Sequence, residues 1–321
     1  ATLVALLRSR GASAQGKATF IAKRVSQVPL DPEAPVWQQS EGLDVSLAPQ
    51  AVVKPRIYEN GIKEITAHAL YDDDKLGLLL EWGDKTSNTK IGRVVNFRDS
   101  AAVQFRAEPG KKIPYFAMGE PNNPVTIYHW KADWQFGPNH DSSAEFTGMV
   151  SDFYPLSGKE GGQIPAEADY GTPGKLPNDK VYMAGWGAGN PVSDPTLKAK
   201  TSVEKLTAAG FGSLTTDSEQ DGVGKGVWKD GKWRLALTFP RKQNWFQFEP
   251  GQTIPINFAV WDGANNERGG EKGVSTWYFL SLEKRAGSAI FILPLVAIAV
   301  VGVLEWLAIR ALRKRPSGQN T

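Results

Sequence analysis

The 321-residue sequence predicts an all-β chain, an antiparallel β-sandwich followed by one membrane-spanning helix, and three observations carry that prediction. Short runs of β-branched and aromatic residues recur at close spacing, punctuated by Gly, Pro, Asn and Asp. An Asp-Gly pair sits between matched tryptophans in Trp228-Lys229-Asp230-Gly231-Lys232-Trp233, the chemistry of a tight type I′ hairpin. Finally, Ala286 to Leu304 runs without a charge, which meets the length criterion for a helix in lipid.

Taken in order, residues 1–24 read as an N-terminal arm, in which Ala12-Ser13-Ala14 resembles a cleavage motif behind a short apolar stretch. The sandwich domain is expected over 25–284. Its clearest strands are Glu64–Tyr71 and Lys75–Trp82, which flank Asp72-Asp73-Asp74 as a hairpin loop of solvated charges. Ala101–Ala107 and Val125–Trp130 cluster strand-forming residues in the same way. A Gly- and Pro-rich insertion over about 153–200 reads as a long functional loop, and Ser202–Ala209 as a short helix. Beyond the Trp-flanked hairpin, strands follow at Arg234–Phe239, Ile254–Trp261 and Val274–Leu282.

The apolar tail over 285–310 predicts a single span, with Trp306 at an interface and Pro294 tolerated in lipid. Arg310, Arg313, Lys314 and Arg315 outnumber Lys284 and Arg285, so the positive-inside rule makes 311–321 a cytoplasmic tail. The sandwich then faces the extracytoplasmic side of a cell membrane.

Composition removes many functions. With no Cys there is no disulfide, thiolate metal site, iron–sulfur ligation or covalent haem attachment. Three His and three Met leave few soft or imidazole ligands, and 37 basic against 34 acidic residues give no nucleic-acid footprint. No G-x-S-x-G, phosphate loop or H-E-x-x-H motif occurs, which points away from a catalytic chain. Among the histidines, His129 alone lies between aromatics, Tyr128 and Trp130, and is a candidate to touch a cofactor.

Several segments together resemble one family. They are Lys112–Gln135 (KIPYFAMGEPNNPVTIYHWKADWQ), Phe211–Thr216 (FGSLTT), Gly226–Thr238 (GVWKDGKWRLALT) and Phe258–Trp277 (FAVWDGANNERGGEKGVSTW), with Val28–Gln39 looking like the entry to the first strand. Over about Val25 to Leu282 the chain is similar to the haem b-binding γ subunits of ethylbenzene-dehydrogenase-type molybdoenzymes, a group that includes nitrite oxidoreductase- and nitrate reductase-like complexes. The resemblance implies a β-sandwich holding one non-covalent b-type haem between axial Met and Lys ligands. It implies an electron relay rather than catalysis, with an iron–sulfur β subunit and a molybdenum-bearing α subunit as partners and a cytochrome c or quinone-linked acceptor.

By motif, the ligands fall on Met118 in FAMG and Lys272 in GGEKGVS. A thioether favours ferrous iron, whereas Lys must shed its proton to coordinate, which burial promotes. Lys225 and Lys200 are rivals for the amine. Tyr115, Phe116, Tyr128, Trp130, Trp134, Trp261 and Trp277 divide between cofactor wall and ordinary core. The competing reading is a membrane-tethered carbohydrate-binding sandwich that stacks sugars on exposed Trp.

Overall fold

A computed structural model describes residues 18–91, 95–108, 112–137, 200–243, 246–284 and 289–313, with side chains in the last segment described for 296–310. Residues 1–17, residues 138–199 with His140 and nearly all of the long insertion, and the tail from Lys314 lie outside the described residues.

The strands in chain order are β1 (Thr19–Arg24), β2 (Leu43–Ser46), β3 (Ala48–Pro49), β4 (Glu64–Tyr71), β5 (Lys75–Gly83), β6 (Ser100–Arg106) and β7 (Val125–Lys131). After a single helical turn, α1 (Ala132–Phe136), come β8 (Val203–Ala208), β9 (Thr215–Thr216), β10 (Val223–Lys229), β11 (Lys232–Pro240), β12 (Thr253–Trp261), β13 (Gly273–Val274) and β14 (Tyr278–Leu282). One layer runs β10-β11-β5-β4 with β2 on β4; the other runs β14-β12-β6-β7-β8-β9, with β13 on β12 and β3 on β13. All these pairings are antiparallel. β1 joins the layers, Thr19–Ala22 lying parallel to β14 and Lys23–Arg24 parallel to β4. Residues 19–24, assigned to the arm from sequence, are therefore part of the sandwich, and the sandwich is not purely antiparallel.

Period-two side-chain alternation decides what each face holds. Inward residues of both layers, among them Leu78, Leu80, Val103, Phe105, Trp130, Trp233, Leu235, Phe258 and Val260, form one dry core. Trp82, Trp130 and Trp233 meet there, with Trp82 stacked on Trp233 at 6.2 Å and Trp130 edge-on to it at 5.1 Å. The Asp-Gly hairpin forms as expected: Asp230 and Gly231 take φ of 52° and 75°, and Trp228 pairs with Trp233.

Three local expectations need correction. Val28–Gln39 does not enter the first strand, since β1 precedes it. It contains a 3-10 turn at Pro35–Gln39, and with Val25 it lays Val28 and Trp37 over Leu70, Leu79 and Ala236 on the outer face of the first layer. That cover explains why β5 is buried on both faces instead of alternating. Ser202–Ala209 is β8, not a helix, because β7 and β9 both bond to it and sheet context overrides good helix formers. Asp72 is not a solvated loop charge: it is 8% exposed and accepts from the backbone N–H groups of Val28, Asp74 and Lys75.

The C-terminal unit, residues 284–321, is separate from the unit ending at Glu283. It holds one helix of 25 residues, α2 (Ala289–Arg313). Its side-chain-described stretch contains Glu305 and Arg310, and among the described residues no helix is long and apolar enough to cross a membrane.

Candidate functional site

The outer face of the second layer is not solvated; it forms the wall of a cavity of about 810 Å³. Alternation selects its lining: Ala102 and Gln104 from β6, Ile127, His129 and Lys131 from β7, Glu204 and Leu206 from β8, and Asn257, Ala259 and Trp261 from β12. Met118 and Lys272, the two residues singled out from sequence, both line this cavity. Lys225 and Lys200 do not; Lys225 is half exposed and pairs with Asp31 at 3.1 Å. Phe116 and Trp261 line the cavity, and Trp277 packs beside it, while Tyr128 and Trp130 belong to the sandwich core.

Met118 is presented on a strapped loop. The Phe116 carbonyl accepts from Gln104 Nε2 at 2.9 Å and Asn257 Nδ2 at 2.6 Å, and the Met118 carbonyl from the Gly210 N–H at 2.8 Å. Met118 takes a left-handed φ of 69°, a conformation sparsely populated by non-glycine residues and typical of positions that their surroundings over-determine. Gly119 follows at φ 74°, where a Cβ would fall 3.0 Å from the Asn123 carbonyl oxygen and 3.1 Å from that of Ala208. Only glycine fits.

Lys272 precedes β13, which is pinned between β12 and β3. The loop leading to it is tied down by Trp261 Nε1 to the Gly269 carbonyl at 3.0 Å and Gln50 Nε2 to the Gly270 carbonyl at 2.9 Å. The residue as a whole is half-buried, but its Nζ has no carboxylate or hydrogen-bond partner among the described residues and rests 4.8 Å from the Trp261 ring. Burial alone pushes the ammonium down to about 8. That is the environment in which an amine gives up its proton and offers a lone pair.

Beside it, the His129 ring stacks on Trp261 with centroids 4.6 Å apart, and His129 Nε2 is buried without a hydrogen-bond partner among the described residues. Burial first, and then Lys131, Arg98 and Lys272, hold this imidazole neutral, well below its ordinary pKa. At the adjoining wall Lys131 pairs closely with Glu204, and Arg98 with Asp133 at 3.1 Å. Gln104 and Asn257, the straps of the Met118 loop, escaped sequence reading; polar residues inside otherwise apolar strands were their only signal.

These features define a β-sandwich whose second sheet carries a partly open cavity, with a soft sulfur and an amine that has no partner among the described residues on its lining. The chain belongs to the ethylbenzene dehydrogenase family, whose model matches residues 34–273 and so takes in both candidate ligands. The resemblance carried by the sequence segments is thereby borne out. The chain is 24% identical over 254 residues to the chlorate reductase subunit gamma of Ideonella dechloratans, covering 78% of each chain. It is 22% identical over 272 residues to the dimethylsulfide dehydrogenase subunit gamma of Rhodovulum sulfidophilum, covering 82% of this chain and 79% of that one. A Haloferax mediterranei protein named for a respiratory nitrate reductase heme subunit is 22% identical over 280 residues, 83% of this chain and 76% of its own. Among solved structures, a family 9 carbohydrate-binding module from Caldicellulosiruptor kristjanssonii aligns over 84% of this chain and 97% of its own at 10% identity, with a TM-score of 0.38.

Proposed function

We propose that this chain is an electron-transfer subunit that holds one b-type haem non-covalently between Met118 and Lys272. The observation that carries the reading is Lys272: an amine facing a protein cavity with no counter-charge among the described residues, its proton weakened by burial, on the same lining as a thioether held in a strained backbone. The cavity lies within the roughly 300–1,000 Å³ typical of cofactor sites. The donor set also fits, since porphyrin iron accepts neutral nitrogen and sulfur.

Bound there, haem would supply a one-electron couple, and the relatives' names as gamma and heme subunits agree with such a relay. The residues of this chain do the rest. Gln104 and Asn257 fix the Met118 loop; Trp261 holds Lys272 and His129 in place; the apolar wall of Ala102, Ile127, Leu206 and Ala259 keeps water from the macrocycle. Lys54, exposed and also on the cavity lining, would offer a cation to a propionate. In the proposed assembly the chain passes electrons between an iron–sulfur β subunit of a molybdenum-bearing complex and a cytochrome c or quinone-linked acceptor.

We also propose that α2 anchors the chain, the sandwich facing the extracytoplasmic side. Support comes from the sequence alone: the uncharged run 286–304, whose side chains before 296 lie outside the described residues, and the basic cluster behind it. Retention of the full chain in carbonate-washed membranes, and its release when the chain stops at residue 284, is the expected result. Release of the full chain as well would remove the anchor.

The carbohydrate reading loses its main support, because no Trp on the described part of the sandwich is exposed: Trp37, Trp82, Trp130, Trp134, Trp233 and Trp261 are buried and Trp228 and Trp277 half-buried. The deciding experiment is the absorption spectrum of the full chain loaded with haem. The wild type should give a low-spin Soret band that shifts on dithionite. Met118→Ala and Lys272→Ala should each lose haem or turn high-spin, and unchanged reduced spectra in both would refute the ligand assignment.

A further inference from the structure

Away from the cavity, three strand ends deliver three acids to one point. Asp84 follows β5, Asp99 precedes β6 and Asp262 follows β12, and one ligand oxygen from each lies within 4.8 Å of the others. They are 6%, 0% and 7% exposed. Among the described residues no Lys, Arg or His pairs with any of them.

Neutral donors occupy part of the cluster. Asp99 accepts from the Asn88 N–H at 2.7 Å, Trp233 Nε1 at 3.1 Å and the Gly263 N–H at 2.9 Å. Asp262 Oδ1 accepts from the Ala264 and Asn265 N–H groups, and its Oδ2 from Asn265 Nδ2 at 2.6 Å. Asp84 Oδ1 accepts from the Thr86 N–H and hydroxyl, whereas Asp84 Oδ2 is buried with no hydrogen-bond partner among the described residues. Buried carboxylates of like sign, one with an orphaned oxygen, are costly unless a cation joins them or a proton neutralises one; burial pushes Asp99 up to about 7 and raises Asp84 as well.

We propose that Asp84, Asp99 and Asp262 form a calcium site that ties the ends of β5, β6 and β12 together. The ligands are hard, anionic and all oxygen, and any two oxygens no more than 4.8 Å apart can share one ion at about 2.4 Å, inside the roughly 2.3–2.6 Å range of Ca²⁺. Ca²⁺ tolerates such an irregular set, while Mg²⁺ demands near-octahedral geometry and keeps its waters. Asp262 also opens the loop that leads to Lys272, so the ion braces the root of that loop.

The test uses the full chain without haem, stripped with a chelator, so its outcome is independent of the haem assignment. Ca²⁺ at about a hundred times its dissociation constant should raise Tm by roughly 5–10 °C, and Mg²⁺ at the same concentration by far less. Tb³⁺ should light up on excitation of Trp, since Trp233 touches Asp99, and Ca²⁺ should quench that emission by displacement. Asp84→Asn should stay folded and weaken Ca²⁺ by roughly tenfold or more, because affinity follows ligand charge; should it fail to fold, Asp262→Asn takes its place. No Tm shift and no sensitised emission in the wild type, an equal response to Mg²⁺, or a variant that responds like the wild type would each overturn the site.

Discussion

His129 stacks on Trp261 at a centroid distance of 4.6 Å and an interplanar angle of 22°, and Trp261 in turn carries the Lys272 ammonium 4.8 Å from its ring. One indole thus orders an imidazole and an amine on the same cavity lining. Because burial and three neighbouring cations all oppose protonation, His129 should remain neutral. With only three His in the chain, the imidazole NMR signals are readily told apart. That of His129 should stay flat between about pH 5 and 8 in the haem-free protein, a window in which an ordinary His titrates. A titration near the usual midpoint would mean that the cavity is wet.

Lys272 places function against stability. In the folded chain its proton is held to about 8, against 10.5 ordinarily. The folded state therefore binds that proton more weakly than the unfolded state. The penalty is full below about 8 and fades as pH rises from there toward 10.5. Haem-free wild type should gain stability over that interval. Lys272→Met should be more stable near neutral pH by on the order of 1–3 kcal/mol, with a flat profile and no amine for iron. Urea melts at neutral and alkaline pH check this; a Met variant less stable than the wild type would make Lys272 a structural residue.

The His68–Glu81 pair sets a second pH dependence, on the other layer. His68 Nε2 lies 3.4 Å from Glu81 Oε2, and its Nδ1 2.9 Å from the Ser40 carbonyl oxygen. Glu81 chiefly raises the imidazole above 6.5, and His68 chiefly lowers the carboxylate below 4.5. The histidine's contribution is present below its unfolded value of 6.5 and disappears as pH climbs through the raised folded value; the glutamate's is present above 4.5 and disappears as pH falls through its lowered one. These are one interaction seen twice. Both groups are partly exposed, so its worth is under about 1 kcal/mol. His68→Gln should differ most from the wild type in the window between the two folded values and converge with it at higher pH, as thermal melts across that range would show.

Much of the sandwich was legible because its signals are local. Asp230-Gly231 forms the expected hairpin, and EITAHALY and KLGLLLEW pair across the Asp72–Asp74 turn, since turn chemistry and β-branching act within a few residues. Errors arose where a distant partner decides. VEKLTA has helix formers, yet it becomes β8 because β7 and β9 lie on either side. The cover formed by Val28 and Trp37 shows in sequence only as the missing alternation of β5. Met118 and Lys272 were found through motifs; that they share a cavity depends on register across four strands, which no single segment encodes. Asp84, Asp99 and Asp262, far apart in the chain, could not be grouped before the fold was known.

Gly226 is the β10 glycine at which an added Cβ would meet the core most closely. A Cβ there would fall 2.5 Å from Trp130 Cζ2 and 3.0 Å from its Cη2. The indole cannot retreat: it is fully buried, meets Trp82 at 6.5 Å and Trp233 at 5.1 Å, and its Nε1 donates to Gln135 Oε1 at 2.9 Å. Overpacking of this kind costs about 1–3 kcal/mol, more than the roughly 0.4–1 kcal/mol that Gly→Ala returns by stiffening the unfolded chain. Gly226→Ala should therefore lower stability by about 1–2 kcal/mol. Gly83 is the internal control, because nothing lies within 4 Å of its added Cβ. Gly83→Ala should be neutral or mildly stabilising in the same urea melts, and equal midpoints for the two variants would show that the tryptophan cluster yields to the extra methyl.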